Sequence, residues 1–230
     1  VNGPCVAALS PIAREHRLVI VVPIFERRGT GIFHNSEVVI GPGGEVLGKY
    51  RKMHIPEDPQ FCEKFYFTPG DLGFAPIQTP VANLGTLICW DQWFPEAARA
   101  MALAGAEMLI YPTAIGWMAS EKEQLGQAQL DAWKTVQRSH AIANGVFVVA
   151  VNRVGKESVG DNELEFWGHS FVCDPMGRVL AEAGEQEQVL VVPCDLSLIA
   201  EQRHWWPFFR DRRIDSYDGL LERWIDADKP

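Results

Sequence analysis

The segment from residue 85 to residue 112 constrains the fold of this chain more than any other. A short apolar run leads to Cys89, helix-forming residues follow from Pro95 to Gly105, and a second apolar run comes after them. Proline fits the first turn of a helix, whose N–H groups have no partner there, and glycine commonly follows the last turn. The pattern predicts a strand–helix–strand unit with a thiol at the carboxyl end of its first strand. In open α/β sheets, ligands bind at that edge.

Cys89 has two interpretations. Cysteine is among the residues most often buried, so one interpretation is a structural thiol. The other is a nucleophile, because a side chain at a strand end faces a cleft and the start of the next helix favours the reactive thiolate. Residues 90–94 include two tryptophans and a phenylalanine, which are costly to expose in an ordinary loop. Aromatic faces mixed with polar groups are typical of a pocket wall and favour the nucleophile.

Composition limits the size, compartment and partners of the protein. With 230 residues, 47% of them hydrophobic, the chain can bury one sizeable core or at most two small ones. We predict a single α/β domain over residues 1–230. Its apolar runs are shorter than the ~20 residues of a membrane span, and no targeting signal is visible. Five cysteines without a Cys-x-x-Cys pair argue against disulfides and zinc and predict a cytoplasmic protein. The net charge of −9 disfavours nucleic acid and anionic membranes as partners and suits a neutral or cationic small substrate.

Hydrophobic periodicity and turn residues predict the remaining elements. We expect helices over residues 4–16 and 123–144, and a short helix after Asp195. We expect strands at 18–25, 146–151 and 189–192, and hairpins over 36–50 and 168–181. Loops are expected at 51–75 and 153–165, of which the first is long enough to indicate a functional role. The aromatic and then charged tail at 204–213 predicts a docking segment.

Three segments in this order resemble the carbon–nitrogen hydrolase (nitrilase) superfamily. They are Gly-Lys-Tyr-Arg-Lys-Met-His at 48–54, Glu-Lys-Phe-Tyr-Phe-Thr-Pro-Gly-Asp at 63–71 and Ile-Cys-Trp-Asp-Gln-Trp-Phe-Pro-Glu at 88–96. The third segment, like residues 111–116, is similar to the form found in N-carbamoylputrescine amidases. Further similarity at 151–155 and 209–213 extends the resemblance over essentially the whole chain.

The resemblance implies a four-layer α-β-β-α sandwich that usually dimerises through its helical face, so we expect a homodimer or a higher homo-oligomer. It also implies a Glu-Lys-Cys triad without metal or organic cofactor, in which Cys89 is the nucleophile, Lys52 the lysine and Glu63 a second, supporting glutamate. Without the resemblance, Lys52 and Glu63 would be interpreted as solvated loop residues. A lysine beside a thiol lowers its pKa and places positive charge against a developing oxyanion, for which the backbone N–H of Trp90 is the expected second donor.

Substrate-binding residues are implied around the thiol: Trp90, Trp93, Ala114 and Trp117. In relatives that act on putrescine derivatives, the position of Gly116 is usually followed by Ser-Glu-Pro, with an acid able to meet a cationic tail. Here Trp117 and Met118 follow, which makes the pocket more apolar and supplies no charge. The sequence leaves open whether Glu121 or Glu123 takes over this role.

One departure from the family concerns the triad glutamate. In the family it lies well upstream of the lysine, after the first strand and helix, whereas Val1 already corresponds to the helix before the second strand. Glu26 also follows an apolar strand, but its surroundings match a later family segment, and we do not expect it to be the general base. We expect the first strand, the first helix and the base to precede Val1.

The sequence predicts hydrolysis of a C–N bond in an N-carbamoyl amine or a small amide, through a thioester on Cys89. A nitrilase acting on a C≡N group would use the same residues and is one alternative. A non-catalytic scaffold that keeps the fold is another, because the triad glutamate is not in the sequence. His54, His140 and His169 are candidates for the pocket, but each is interpreted as a hydrogen-bonded structural residue.

Overall fold

The structure is a computed structural model that describes residues 3–58, 61–160 and 162–225. Val1, which is expected to belong to the helix before the second strand of the family, lies outside these ranges. The helices are α1 (Pro4–His16), α2 (Pro95–Leu103), α3 (Ala119–Asn144) and α4 (Ser197–Trp205). The strands are β1 (Ile20–Gly29), β2 (Ile32–Ile40), β3 (Val46–Arg51), β4 (Ile77–Gln78), β5 (Asn83–Thr86), β6 (Met108–Thr113), β7 (Gly116–Met118), β8 (Phe147–Asn152), β9 (Lys156–Val159), β10 (Asn162–Phe166), β11 (Phe171–Cys173) and β12 (Val179–Glu182).

The first sheet is an antiparallel meander in the order β1-β2-β3. Helix α1 covers one of its faces, where Val6 and Ala13 of the helix pack against Val38 and Ile40 of β2. Strands β1 and β2 are longer than predicted because they meet in a tight turn at Gly31, whose φ of +73° is readily adopted by glycine.

The second sheet has six strands in the order β12-β11-β8-β6-β5-β4. Strands β5, β6 and β8 run parallel, and α2 connects β5 to β6, so the predicted strand–helix–strand unit is confirmed. Along β6 the side chains alternate between the two faces of the sheet. Leu109 and Tyr111 join the core beneath α2 and α3, whereas Met108 and Ile110 face the first sheet.

The two sheets pack face to face. Val39 of β2 points away from α1 and packs with Leu84 of β5 and Ile77 of β4. The layers are therefore α1, the first sheet, the second sheet, and α2 with α3. This confirms the four-layer α-β-β-α sandwich, and it places the carboxyl ends of β5 and β6 at one edge of the inter-sheet layer.

A third, small sheet corrects one prediction. Residues 153–165, expected to form a loop, contain the hairpin β9–β10, which pairs with β7 in the order β7-β10-β9. Leu164 and Phe166 of β10 are buried, and Glu165 between them forms ion pairs with Lys122 and Lys156. The alternation is that of a half-buried strand, but its short length and many charges resemble a polar loop.

Two further predictions need correction. Residues 189–192 form no strand, and Val189 and Val191 are 86% and 92% exposed. Helix α3 begins at Ala119 rather than at residue 123. Within the described ranges, no helix is both long and apolar enough to cross a membrane.

Candidate active site

Cys89 lies just beyond β5, at the first position of a 3-10 turn that spans Cys89–Trp93. Its φ is +44°, a left-handed conformation that a residue with a side chain rarely adopts. The backbone N–H of Asp91 bonds the carbonyl of Ile88 at 3.0 Å, so the N–H groups of Cys89 and Trp90 precede the first bond of the turn. These two N–H groups have no partner within the turn, as at any helix start. The strained turn therefore presents the thiol beside two backbone N–H groups that the turn itself does not use.

Lys52 immediately follows β3, and packing holds its backbone and side chain in place. Its N–H bonds the carbonyl of Asn35 at 2.8 Å, and its carbonyl accepts from Gly70 at 2.7 Å. A side chain at Gly70 would clash with the carbonyl of Arg51, so only glycine allows the two backbone segments to lie this close together. The ammonium of Lys52 is fully buried and lies 2.6 Å from Oε1 of Glu63. Sequence reasoning from local composition, which favoured a solvated lysine, is wrong here.

Glu63 begins the short 3-10 helix Glu63–Phe65, within the long loop after β3. Its second carboxylate oxygen accepts a hydrogen bond from the side-chain amide of Asn35 at 3.2 Å. Asn35 on β2 thus contacts both partners of the ion pair, since its carbonyl also bonds the N–H of Lys52. Sequence reasoning missed Asn35, because the local sequence around a polar strand residue does not indicate which loop its side chain will contact.

The electrostatics of Cys89 differ from the expectation that Lys52 makes the thiol acidic. Burial raises the pKa of the Cys89 thiol, the charge of Lys52 and a backbone N–H of Ala114 lower it, and the charges of Glu63 and Asp91 raise it. The net pKa lies above the ordinary value for cysteine, because burial outweighs the ammonium. The expectation that the thiol is more acidic than an ordinary cysteine is therefore wrong, although Lys52 does lower its pKa as expected.

A cavity of about 380 Å³ opens beside the thiol. Its walls include Cys89, Glu63, Trp90, Trp93, Ala114 and Trp167. Three of the four residues expected to bind substrate are thus in the cavity wall, and Trp117 is not. Gly116 and Met118 on either side of Trp117 line the cavity, and because side chains alternate along a strand, the indole points to the opposite face. There it packs against Trp167 and lies beneath the ammonium of Lys122.

Of the acids considered for a cationic tail, Glu121 lines the cavity and Glu123 does not. His54, His140 and His169 are also outside the described cavity wall. Each is hydrogen-bonded elsewhere: His54 to Asp91, His140 to the carbonyl of Gln92 and His169 to Glu182. The prediction that all three are hydrogen-bonded is confirmed. Among the described residues, no group of three or more His, Cys, Asp or Glu side chains is arranged to hold a metal ion.

Glu26 lies outside the described cavity wall. It is buried on β1, where it accepts hydrogen bonds from Arg51, Lys49 and Ser36. The Arg51 guanidinium is the main reason why the pKa of Glu26 is held well below its ordinary value. A carboxylate engaged in this way is a poor proton acceptor, so the structure supports its exclusion as the general base.

Comparison with known proteins identifies the family. The model of the carbon-nitrogen hydrolase family matches residues 1–204. The chain belongs to this family. It is 47% identical to the N-carbamoylputrescine amidase of Solanum tuberosum over 99% of this chain and 75% of that protein. It is 40% identical to the citrullinase of Francisella tularensis subsp. tularensis over 97% of this chain and 77% of that protein.

A solved structure agrees with the fold. The crystal structure of a carbon-nitrogen hydrolase from Helicobacter pylori G27 is 50% identical in sequence and superposes with a TM-score of 0.94. The superposition covers 96% of this chain and 77% of the Helicobacter chain. As a carbon–nitrogen hydrolase, the protein is an amidohydrolase enzyme that hydrolyses C–N bonds of the amide type. The interpretation as a non-catalytic scaffold is not supported.

Proposed function

We propose that the protein hydrolyses the ureido C–N bond of an N-carbamoyl amine, with simple amides as poorer substrates, through a thioester on Cys89. One observation carries the proposal: a half-buried thiol shares a cavity with Glu63, and Glu63 pairs with the buried ammonium of Lys52. A nucleophile, a fixed positive charge and free backbone donors are the groups that acyl transfer requires. The named relatives support the substrate class, since N-carbamoylputrescine and citrulline both contain a ureido group.

The first step is attack of the Cys89 sulfur on the carbonyl carbon. The carbonyl oxygen gains negative charge, which the Lys52 ammonium and the N–H of Trp90 stabilise. Glu63 and Asn35 hold Lys52 in place, so that the charge is oriented before the reaction begins. The thiol proton passes to a carboxylate base, the glutamate of the triad that the family resemblance implies.

The second step is collapse of the tetrahedral intermediate. The C–N bond breaks, the nitrogen takes a proton and leaves, and the acyl group remains on sulfur as a thioester. Water then attacks the thioester, the same donors stabilise the second oxyanion, and the thiol is released. For a ureido substrate, departure of ammonia leaves a carbamic acid, which loses carbon dioxide to yield the free amine.

The shape and charge of the cavity support a substrate with a cationic tail. Aromatic walls from Trp90, Trp93 and Trp167 suit an alkyl chain, and Glu121 places a carboxylate in the same cavity. Glu121 therefore takes the role that Met118 cannot fill. This charge disfavours substrates with an anionic tail by like-charge repulsion.

The proposal is tested with a substrate panel of N-carbamoylputrescine, citrulline, a short primary amide and a short nitrile, with products identified by mass. We expect the ureido substrates to be turned over fastest and Cys89→Ala to abolish turnover. Cys194→Ala is the matched control, because Cys194 is also a free, half-buried thiol and lies outside the cavity. Fastest turnover of the nitrile would support the nitrilase alternative instead, and normal turnover by Cys89→Ala would overturn the mechanism.

We also propose that the protein is cytoplasmic and forms a homodimer or a higher homo-oligomer. Large apolar side chains near the end of the chain are exposed, among them Trp205, Leu221 and Trp224. Apolar surface of this extent is typical of a protein–protein contact. Light scattering coupled to gel filtration would show a single monomer mass if the assembly proposal is wrong.

A further inference from the structure

One buried carboxylate connects the two chain segments that carry the candidate catalytic residues. Asp91 is fully buried and lies two residues after Cys89 in the same 3-10 turn. Its Oδ2 accepts from the Tyr50 hydroxyl at 2.9 Å and from the N–H of Ile88 at 2.9 Å. Its Oδ1 accepts from the N–H of His54 at 3.0 Å and from the imidazole of His54 at 2.7 Å.

The four donors lie close to both catalytic candidates along the chain. Tyr50 and His54 lie two residues before and two residues after Lys52, and Ile88 immediately precedes Cys89. The carboxylate therefore ties the end of β3, with its lysine, to the turn that carries the thiol. Both oxygens of Asp91 are used, and each of them bonds to the segment around Lys52.

The imidazole of His54 is itself held in one orientation. It stacks on the ring of Phe94, with 3.8 Å between ring centroids and 4° between planes. Because a carboxylate can only accept, Nδ1 carries the proton that it donates to Asp91. Neither Asp91 nor His54 is among the described residues of the cavity wall, so both act on the reaction through other residues.

We propose that Asp91 is a positioning residue that sets the separation between the Lys52 ammonium and the Cys89 sulfur, acting through Tyr50 and His54. This inference rests on the proposed thiol mechanism, and no role was assigned to Asp91 from the sequence. Oxyanion stabilisation depends steeply on geometry, and a displacement of about 1 Å can cost about 100-fold in rate. Loss of one bond to Asp91 should therefore reduce kcat while the cavity, and with it KM, is unchanged.

Two variants remove one side-chain donor each and keep the Asp91 carboxylate. Tyr50→Phe removes only the hydroxyl, and His54→Phe keeps the aromatic stack on Phe94 while it removes the imidazole donor. His54→Gln restores a side-chain N–H. The matched control is Tyr111→Phe, because Tyr111 is equally buried near Asp91 and its hydroxyl has no hydrogen-bond partner among the described residues.

The readouts are kcat and KM for N-carbamoylputrescine, and the pH dependence of Cys89 alkylation by iodoacetamide. We expect Tyr50→Phe and His54→Phe to lower kcat about 10- to 100-fold, with KM within twofold and partial recovery in His54→Gln. The Tyr111→Phe control should keep kcat within twofold. The inflection of the alkylation profile should move to higher pH in both donor variants, because a displaced Lys52 stabilises the thiolate less.

The Asp91→Asn variant distinguishes a positioning role of Asp91 from the direct effect of its charge on the Cys89 thiol. The charge of Asp91 raises the pKa of the Cys89 thiol, so neutralising it without any movement would shift alkylation to lower pH. The positioning role predicts a shift to higher pH. The inference is overturned if Asp91→Asn moves the inflection of the alkylation profile to lower pH. It is also overturned if Tyr50→Phe and His54→Phe keep kcat and the inflection unchanged, as Tyr111→Phe should. Alkylation needs no substrate, so it decides the inference even if the wild-type protein turns over none of the panel.

Discussion

The ammonium of Lys52 is fully buried, and its counter-ion Glu63 reaches the wall of the substrate cavity. A buried charge is tolerated only with a close partner, so the 2.6 Å ion pair explains why a lysine can be kept in this position. The Lys52 charge acts on the Cys89 thiol from a position that water does not reach. Water would screen this charge.

Replacement of Lys52 by methionine should reduce kcat/KM by at least about 100-fold, because one stabilising charge is lost from the transition state. Lys49→Met is the matched control. Lys49 lies on β3, three residues before Lys52, and also pairs with a glutamate, Glu26, but Glu26 is not part of the cavity wall that Glu63 reaches. Steady-state kinetics of both variants provide the measurement. Equal losses in the two variants would mean that the effect is structural and that Lys52 has no special role.

The pH dependence of Cys89 alkylation reports the pKa of the thiol. Because burial raises this pKa above its ordinary value, we expect the rate to keep rising at alkaline pH. Lys52 lowers the pKa, so Lys52→Met should move the inflection to higher pH. Glu63 raises it, so Glu63→Gln should move the inflection to lower pH. Mass spectrometry separates Cys89 from the other four thiols, and shifts in the same direction for both variants would contradict this account.

The free energy of unfolding should also depend on the protonation of one buried carboxyl group, that of Glu37. Glu37 on β2 is fully buried between the sheets, and burial, with the charge of Asp91, raises its pKa well above its ordinary value of 4.5. The native protein therefore keeps a proton that the unfolded chain releases above about pH 4.5, so the free energy of unfolding falls as pH rises. The slope from one such group is at most about 1.4 kcal/mol per pH unit.

Glu37→Gln should remove this contribution, and its stability should decline less between pH 5 and pH 8 than that of the wild type. Urea denaturation at several pH values measures the difference. Glu123→Gln is the control, because Glu123 is exposed on α3 and its loss should leave the slope unchanged. A slope for Glu37→Gln that matches the wild type would show that Glu37 is not the group responsible.

Substrate preference should depend on Glu121. Glu121→Gln should raise KM for N-carbamoylputrescine about fivefold, which corresponds to about 1 kcal/mol for a partly exposed ion pair. For N-carbamoylbutylamine, which lacks the terminal ammonium, KM should not change. Glu123→Gln again serves as the control on the same helix. If Glu121→Gln raises KM equally for both substrates, the residue shapes the cavity and does not bind the cation.

The local sequence pattern was sufficient to predict those elements of the fold that depend on residues adjacent in the chain. The apolar run before Cys89 and the helix formers after Pro95 predicted the β5–α2–β6 unit, since period and capping are local properties. Val189 and Val191 show the limit, because a β-rich run without a neighbouring strand stays exposed. The resemblance to carbon–nitrogen hydrolases, and not the composition around them, singled out Lys52 and Glu63.

The sequence by itself determined the β5–α2–β6 unit, the position of the thiol and the family. Tertiary structure alone decided that Trp117 faces away from the cavity, that burial raises the pKa of Cys89, and that Asp91 bonds to His54. The last two residues are 37 positions apart, and they meet because the two sheets pack face to face. Propensity and periodicity describe neighbours along the chain. Contacts, solvent exclusion and the electric field at a side chain depend on residues that only the packed fold brings together.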